Sequence, residues 1–235
     1  MGGRAWRQRY YDLFARVYDR FVAWHSGEPT GPMRRALAER AATRPVRRAL
    51  DLCSGTGAVT RALVESLGTG TLVVGLDFSS GMLAQGRIAA GQAGLSDIHW
   101  VQADATALPF KAGVFDTVTC SYALYELKGA ARGAMLCEAA RVLSSGGRFL
   151  AMEHEVPIRP LPRLLFFIRL AVIGAEGARA FLGGEIEELG HVFSGVEKES
   201  VPPGKSKILT GTKCPGRAES QEPRAETNRP KRGSS

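Results

Sequence analysis

The sequence is short of cysteine and of long hydrophobic runs. Its four cysteines, Cys53, Cys120, Cys137 and Cys214, show neither the paired spacing of a zinc site nor that of a disulfide framework. We therefore expect no metal site and a reducing, cytoplasmic environment. No apolar stretch reaches the ~20 residues of a membrane-spanning helix, and the first residues lack the apolar core of a signal peptide.

The middle of the chain also lacks the positive charge that the overall net charge of +8 suggests. Residues 1–48 contribute +7 through 11 Arg, and residues 213–235 contribute +3, which leaves −2 for residues 49–212. Enzymes that act on nucleic acid usually carry a basic stripe across the working face, so this distribution argues against such a partner. The basic start fits an anionic membrane surface, an anionic substrate, or solvated arginines on amphipathic helices.

Strand-like and helix-like segments alternate from residue 49 onward. Five apolar segments separated by helical stretches predict parallel strands with helices on both faces of the sheet; they cover residues 49–52, 71–76, 98–101, 115–120 and 147–152. Two further strands, 192–199 and 207–212, are joined by a turn too short for a parallel crossover. The pattern predicts a doubly wound, Rossmann-like α/β fold with a seven-stranded sheet, mostly parallel, whose last strand is antiparallel.

The segments before and after this region have other sequence patterns. Residues 6–24 and 32–42 have helical apolar spacing, so we expect residues 1–45 to form a helical cap on the domain of residues 46–212. Residues 213–235 contain no aromatic residue, and we expect a disordered basic tail.

The turn after the first predicted strand is rich in glycine. Gly55 and Gly57 would let the backbone approach a nucleotide-like ligand, although a plain tight turn needs glycine too. The third glycine of a dinucleotide-binding loop is missing, and Cys53 stands at the first position. Asp51 precedes the turn, where a carboxylate would repel a pyrophosphate but complement a ligand that carries an ammonium and a sulfonium. S-adenosylmethionine (SAM) is such a ligand.

Two more acids follow the next two strands. Asp77 comes 20 residues after Gly57 and can accept hydrogen bonds from both ribose hydroxyls, or else cap the following helix. Asp104 can accept from the adenine amino group, or be an ordinary loop residue. With Asp51, these acids would line the carboxyl edge of the sheet, where doubly wound folds bind ligands.

These residues belong to five motifs that resemble, in order and spacing, those of class I SAM-dependent methyltransferases. The resemblance is closest to the ubiquinone/menaquinone-biosynthesis methyltransferase group and covers roughly residues 10–155. The motifs lie at residues 50–57, 75–83, 104–110, 115–116 and 141–147. The resemblance implies methyl transfer from SAM to a small, hydrophobic, quinone- or lipid-like acceptor.

The resemblance also assigns cofactor-binding roles. It places Asp51, Gly55 and Gly57 at the methionine moiety, Asp77 at the ribose, and Met82, Asp104 and Ala105 at the adenine. It further implies that Tyr18, in the amino-terminal helix, closes over the cofactor. Cys53, Phe78 and Ser121 complete the expected cofactor site.

Methyl transfer needs orientation and, for an alcohol, phenol or carbon acid, a base. Candidates at the relevant strand ends are Tyr122, Glu126, Glu153, His154 and Glu155. His154 has the most suitable intrinsic pKa, although a surface histidine is an equally good interpretation. We take His154, Tyr122 and Glu153 as the catalytic candidates, while an amine acceptor would need no base.

Other functions stay open at this point. An NAD(P)-dependent oxidoreductase would need the missing glycine and would not tolerate Asp51. An amino-type nucleic-acid methyltransferase would carry Pro-Pro-aromatic at residues 120–123, which the chain does not have. A SAM-binding scaffold or assembly factor without turnover would keep the same cofactor residues.

The segment at residues 157–174 is apolar on most sides. It reads as a core helix or as an apolar lid for a hydrophobic acceptor, with Arg159 and Arg163 near anionic headgroups. The second interpretation predicts peripheral contact with a membrane surface. The oligomeric state is not predicted.

Overall fold

The computed structural model describes residues 12, 31–127, 130–156, 160, 161, 163, 164, 167, 168, 183–201 and 206–214. The predicted helix at 6–24 lies outside these residues, apart from Asp12, and so do Tyr18, Arg159 and the segment after Cys214.

Within the described residues, seven strands form one sheet in the order β3-β2-β1-β4-β5-β7-β6. The strands are β1 (Arg48–Leu52), β2 (Leu72–Asp77), β3 (Ile98–Gln102), β4 (Phe115–Ser121), β5 (Leu143–His154), β6 (Ser194–Val201) and β7 (Ser206–Thr212). β7 pairs antiparallel with β5 and β6, and the remaining neighbours pair parallel. The predicted mostly parallel sheet with an antiparallel last strand is confirmed.

Helices cover both faces of this sheet. They are α1 (Gly31–Ala41), α2 (Ala58–Leu67), α3 (Ser80–Gln92), α4 (Ala130–Val142) and α5 (Glu185–Gly190). Because side chains alternate along a strand, Phe149 of β5 packs in the core beneath α4 and α5, whereas Leu150 packs beneath α1 and α2. Burial on both faces explains why the central strands are nearly continuous apolar runs.

α1 crosses the sheet from its carboxyl edge to its amino edge. Near its start, the Met33 sulfur accepts hydrogen bonds from Ser206 Oγ (3.0 Å) and from the Tyr122 hydroxyl (3.7 Å). At its end, Arg148 Nη2 donates to the carbonyls of Arg40 and Ala41. These bonds satisfy carbonyls that a helix end leaves unpaired, and they fix the direction of α1 over the sheet.

The folded domain continues past β7 to Lys213. Its backbone N–H donates to Gly147 O (2.8 Å), and its Nζ donates to the carbonyls of Leu143 (2.5 Å) and Arg141 (3.2 Å). Burial lowers the pKa of this amine. The predicted tail begins at Lys213, but these hydrogen bonds hold Lys213 against β5 and α4.

Candidate active site

The loop after β1 is built from left-handed backbone. Cys53, Gly55 and Gly57 have φ of 53°, 54° and 72°. The loop is closed by hydrogen bonds from Ser54 N to Leu76 O (2.9 Å) and from Gly57 N to Ser54 O (2.8 Å). A Cβ at Gly55 would meet nothing within 4 Å, so glycine is required there for its φ and leaves the backbone open to a ligand.

Trp100 gives a second reason for glycine at Gly57. A Cβ at Gly57 would lie 2.2 Å from the Trp100 ring, and Cβ atoms at Gly86 and Gly75 would lie 2.8 and 3.0 Å from it. The indole therefore packs against backbone from the loop, α3 and β2. This contact was not predicted, since nothing in local spacing links the tryptophan to three distant glycines.

Asp51 is a buried carboxylate at the base of the loop, with a 1% exposed surface. Its Oδ2 accepts from Thr60 Oγ1 (2.7 Å) and its Oδ1 from Thr119 Oγ1 (2.8 Å). Burial raises its pKa to about 6, against the opposing effect of the two hydroxyls. Asp51 is therefore charged at neutral pH, and the two threonines that hold it were not predicted.

Asp77 ties the loop to the end of β2. Its Oδ2 accepts from Gly55 N (2.8 Å) and its Oδ1 from Ser79 N (2.9 Å), while burial raises its pKa. The N-cap of α3 is Ser79, whose Oγ accepts from Met82 N (3.1 Å). The capping role considered for Asp77 is therefore taken by another residue.

Asp12 brings the amino-terminal segment to this edge. Its Oδ1 accepts from Ser79 Oγ (2.5 Å) and from Gly81 N (2.9 Å). A Cβ at Gly81 would lie 2.7 Å from the Asp12 backbone. The contact with the first turn of α3, two residues past Asp77, was not predicted.

The remaining predicted cofactor residues continue along the same edge. Asp104 Oδ1 accepts from Thr106 N (2.9 Å) and Thr106 Oγ1 (2.7 Å). Met82 and Ala105 are buried, and the Phe78 carbonyl accepts from Gln102 Nε2 (3.2 Å). Since β3, β2, β1 and β4 are neighbours, the acids and Ser121, the last residue of β4, follow one another along one edge of the sheet.

Two features of the loop fit SAM. Ser54 Oγ is buried and has no hydrogen-bond partner among the described residues, as expected where a polar ligand supplies one. The charged Asp51 and the open backbone at Gly55 would suit the cationic methionine end. The neighbouring Cys53 thiol, and then burial, raise the pKa of the Cys120 thiol well above its ordinary value.

An aromatic cluster lies beyond β4 and β5. The Tyr122 ring is centred 4.6 Å from that of His154, which is 5.7 Å from Tyr125. Tyr122 has a φ of 55°, rare for a residue with a side chain. Its hydroxyl lies 2.8 Å from Ser206 Oγ. Two of the three catalytic candidates are therefore in contact.

Glu153, the third candidate, points to the other face of β5. It is buried, and its Oε1 accepts from Leu124 N (2.8 Å), while its Oε2 has no partner among the described residues. Burial, and then the charge of Glu126, raise its pKa well above the ordinary value. The raised pKa favours the protonated carboxyl over the carboxylate that a general base needs.

The other acid of this strand end is part of an ion-pair network. Glu155 lies 3.5 Å from Lys198 Nζ and 3.8 Å from that of Lys207. Lys207 is fully buried and also pairs with Glu185 of α5, which lowers the Glu185 pKa against the effect of burial. Glu126 is exposed.

Residues 8–173 match the model of the ubiE/COQ5 methyltransferase family. The chain belongs to this family. A demethylmenaquinone methyltransferase of Shouchella clausii is 31% identical over 137 residues, which are 58% of this chain and 55% of that protein. One of Clavibacter sepedonicus is 44% identical over 91 residues, 39% of this chain and 36% of that protein.

Another ubiE/COQ5 relative is the ubiquinone/menaquinone biosynthesis C-methyltransferase UbiE of Methylobacterium nodulans. It is 32% identical over 133 residues, 56% of this chain and 51% of that protein. The chain spans about half or less of the length of these curated relatives.

Solved structures show the same fold as this ubiE/COQ5 member. A putative O-methyltransferase of Nostoc punctiforme superposes with a TM-score of 0.70 at 15% identity, covering 86% of this chain and 60% of that one. A putative methyltransferase of Bacillus halodurans gives 0.60 at 18% identity, covering 79% and 100%.

Among the described residues, no helix is both long and apolar enough to span a bilayer. The same part of the chain holds no group of three or more His, Cys, Asp or Glu side chains arranged to bind a metal ion.

Proposed function

We propose that this chain is a SAM-dependent methyltransferase that acts on a small, hydrophobic, quinone-like acceptor. The observation that carries the proposal is the buried, charged Asp51 beneath an open left-handed loop. A buried charge without a ligand is costly, whereas one that faces an ammonium and a sulfonium is stabilised. Membership of the ubiE/COQ5 family supports methyl transfer, and the names of the relatives support a quinone-like acceptor.

The cofactor would lie along the strand ends, and it supplies a methyl group already activated by the sulfonium. In this proposal Asp51, Gly55 and Gly57 hold the methionine end and Asp77 accepts from the ribose hydroxyls. The adenine would lie among Met82, Asp104 and Ala105. Cys53, Phe78 and Ser121 would line the site, and Tyr18 would close it.

The acceptor would lie against the aromatic cluster. Tyr122, Tyr125 and His154 offer ring faces that suit a flat quinol, since offset ring contacts are favourable. His154 would take the proton of a phenol or carbon acid, and Tyr122 would orient the acceptor through a hydroxyl fixed by Ser206. Glu153 would hold the backbone in place by accepting the hydrogen bond of Leu124 N.

Transfer of labelled methyl from SAM to a prenylated naphthoquinol tests this proposal. We expect product with the native chain, and little with His154→Asn although S-adenosylhomocysteine (SAH) still binds. An RNA and a protein mixture serve as alternative acceptors. Binding of SAH without transfer to any acceptor would favour the scaffold alternative, and binding of NADH but not of SAH would favour the oxidoreductase.

A further part of the proposal is contact with a membrane surface. Leu161, Leu164 and Ile168 are helical, 66%, 57% and 50% exposed, and spaced so that they share one helix face. Arg163, whose guanidinium lies 5.9 Å from the centre of the Phe167 ring, stands beside them. Because they follow β5, whose carboxyl end lies at the site, a bilayer here would deliver a lipid-soluble acceptor.

Sedimentation with anionic and neutral vesicles, at low and high salt, tests this contact. Changing Leu161, Leu164 and Ile168 to Ser should reduce binding to anionic vesicles. Ile88→Ser is the matched control, because Ile88 is 52% exposed but lies on α3. Equal binding by both variants and the native chain would contradict the contact.

A further inference from the structure

The first turn of α3 takes its negative charge from a distant part of the chain. The helix has Ser79 as its N-cap but no acidic residue in its own first turn. Asp12, 67 residues before Ser79, supplies one, because its Oδ1 accepts from Ser79 Oγ (2.5 Å) and from Gly81 N (2.9 Å). A carboxylate at this end of a helix is stabilised by the unpaired N–H groups and by the helix dipole. Asp12 therefore holds the turn that begins α3.

Ser79 links this carboxylate to the acid that ends β2. Its backbone N–H donates to Asp77 Oδ1 (2.9 Å), whereas its hydroxyl donates to Asp12. The same hydroxyl accepts from Met82 N (3.1 Å), so both its hydrogen and a lone pair are committed. Asp77 Oδ2 in turn accepts from Gly55 N (2.8 Å). A continuous line of hydrogen bonds thus runs from Asp12 through Ser79 and Asp77 to the loop after β1.

The middle of this line is shielded from water. Ser79 is fully buried, and Asp77 is 5% exposed. On the outer side, the Asp12 backbone lies so close to Gly81 that a Cβ there would approach it to 2.7 Å. In a buried network each group has few alternative partners, so the loss of one bond shifts the groups that share it. The placement of Ser79, and through it that of Asp77, therefore depends on Asp12.

We propose that Asp12 is a positioning residue for the ribose of SAM. By fixing Ser79, it holds the Asp77 carboxylate where this can accept from the ribose hydroxyls, and it does so without touching the cofactor. The inference rests on the proposed SAM-dependent function and adds to it a residue that neither the motifs nor the comparisons assign. It gives the amino-terminal segment a part in cofactor binding that does not depend on Tyr18.

Calorimetric titration of the full chain with SAH and with its 2′,3′-dideoxy analogue tests the assignment. Asp12→Ala should weaken SAH binding about threefold to thirtyfold and leave binding of the analogue, which has no ribose hydroxyls, nearly unchanged. Gly81→Ala, whose Cβ displaces Asp12, should act in the same direction. Asp97→Ala is the matched control and should change neither affinity. Asp97 also accepts a serine hydroxyl, that of Ser96 (3.0 Å), but it is exposed and precedes the amino end of β3.

A second comparison separates positioning from general support of the fold. In an Asp77→Ala background, Asp12→Ala should cause little further loss of SAH affinity, because the group that Asp12 positions is gone. An equal loss in both backgrounds, or for both ligands, would show that Asp12 only stabilises the fold, and unchanged SAH binding by Asp12→Ala would exclude the role; each of these results overturns the assignment. If the native chain did not bind SAH, the proposed SAM-dependent function would fail, and this assignment with it.

Discussion

At the scale of single residues, the buried charge of Asp51 is electrostatically unfavourable in the free protein. Asp51 has a pKa of about 6 in place of 3.8, so its charged form costs about 3 kcal/mol of folding free energy above pH 6. Such a cost is reasonable at a site that binds a cation, because the ligand recovers it. The stability of the free protein should therefore improve when the charge is removed.

Asp51→Asn should make the free protein more stable at pH 7.5 by up to about 3 kcal/mol. Asn resembles the protonated acid, so the difference from the native chain should shrink as the pH falls from 6 to 4, where native Asp51 becomes protonated. Urea unfolding at pH 7.5 and 4.5 measures this, and SAH binding should be weaker in the variant. A difference that does not depend on pH, or a less stable variant at pH 7.5, would contradict the assigned pKa.

For Glu153 we expect the corresponding amide substitution to have almost no effect on stability. Because burial raises its pKa well above the ordinary value, Gln resembles the protonated form that burial favours. Glu153→Gln should change unfolding free energy by less than about 1 kcal/mol and preserve methyl transfer. Glu153→Ala should lose about 1–3 kcal/mol, since Leu124 N loses its acceptor. If Glu153→Gln folds normally but abolishes transfer, Glu153 is a base, as first predicted.

At the scale of elements, local patterns predicted six of the seven strands to within two residues at either end. The expected strand at 71–76 is Leu72–Asp77, and that at 98–101 is Ile98–Gln102, because buried apolar runs bounded by glycine, proline and polar residues have few alternatives. β5 begins earlier than expected, at Leu143, because Leu143 pairs with Phe115 before a register shift. Such irregular pairing leaves no local pattern.

Contacts between side chains that lie far apart in the sequence could not be predicted from local patterns either. The acids of the site could be found because each lies within two residues of the carboxyl end of a strand. Thr60 and Thr119, which donate hydrogen bonds to Asp51, lie in a helix and a strand. Both fit the residue pattern of these elements as ordinary members, so nothing in the sequence assigned them to the site. Trp100 and its glycines pack together only once β2, β3, α3 and the loop are assembled.

The packing of Trp100 on α3 predicts opposite effects for two glycines of this helix. Gly86→Ala should destabilise by about 1–3 kcal/mol, since the new Cβ would lie 2.8 Å from the indole. Gly91→Ala, with nothing within 4 Å, should stabilise by up to about 1 kcal/mol through helix propensity. Urea unfolding checks both.

A double-mutant cycle tests the cause. In a Trp100→Leu background the cost of Gly86→Ala should largely disappear, because the ring that the Cβ meets is gone. An unchanged cost in that background would show that the glycine serves another purpose.

At the scale of the whole molecule, one group of exposed arginines lies at the amino edge of the sheet, whereas Arg163 follows β5, which ends at the carboxyl edge. The exposed Arg44, Arg47 and Arg48 stand at the amino end of β1. The first two line a cavity of about 500 Å³ together with residues 66, 67 and 69–71. The site lies at the carboxyl edge. An anionic membrane bound by these three arginines would face away from the site, so it could not deliver a lipid-soluble acceptor there. Arg163, beside the exposed apolar face of Leu161, Leu164 and Ile168, is the better placed cation for that purpose.

The carboxyl-terminal limit of the domain follows from the same whole-molecule view and can be tested by two truncations. A chain that ends at Cys214 should unfold with the free energy of the full chain, because residues 215–235 include only two alanines as apolar residues that could join a core. A chain that ends at Thr212 should lose about 1–3 kcal/mol, since Lys213 donates hydrogen bonds to two carbonyls of β5 and one of α4. Lys213→Met in the chain that ends at Cys214 separates the side chain from the backbone bond and should lie between the two. Equal stability of both truncations would show that Lys213 adds nothing and that the tail begins where the sequence first placed it.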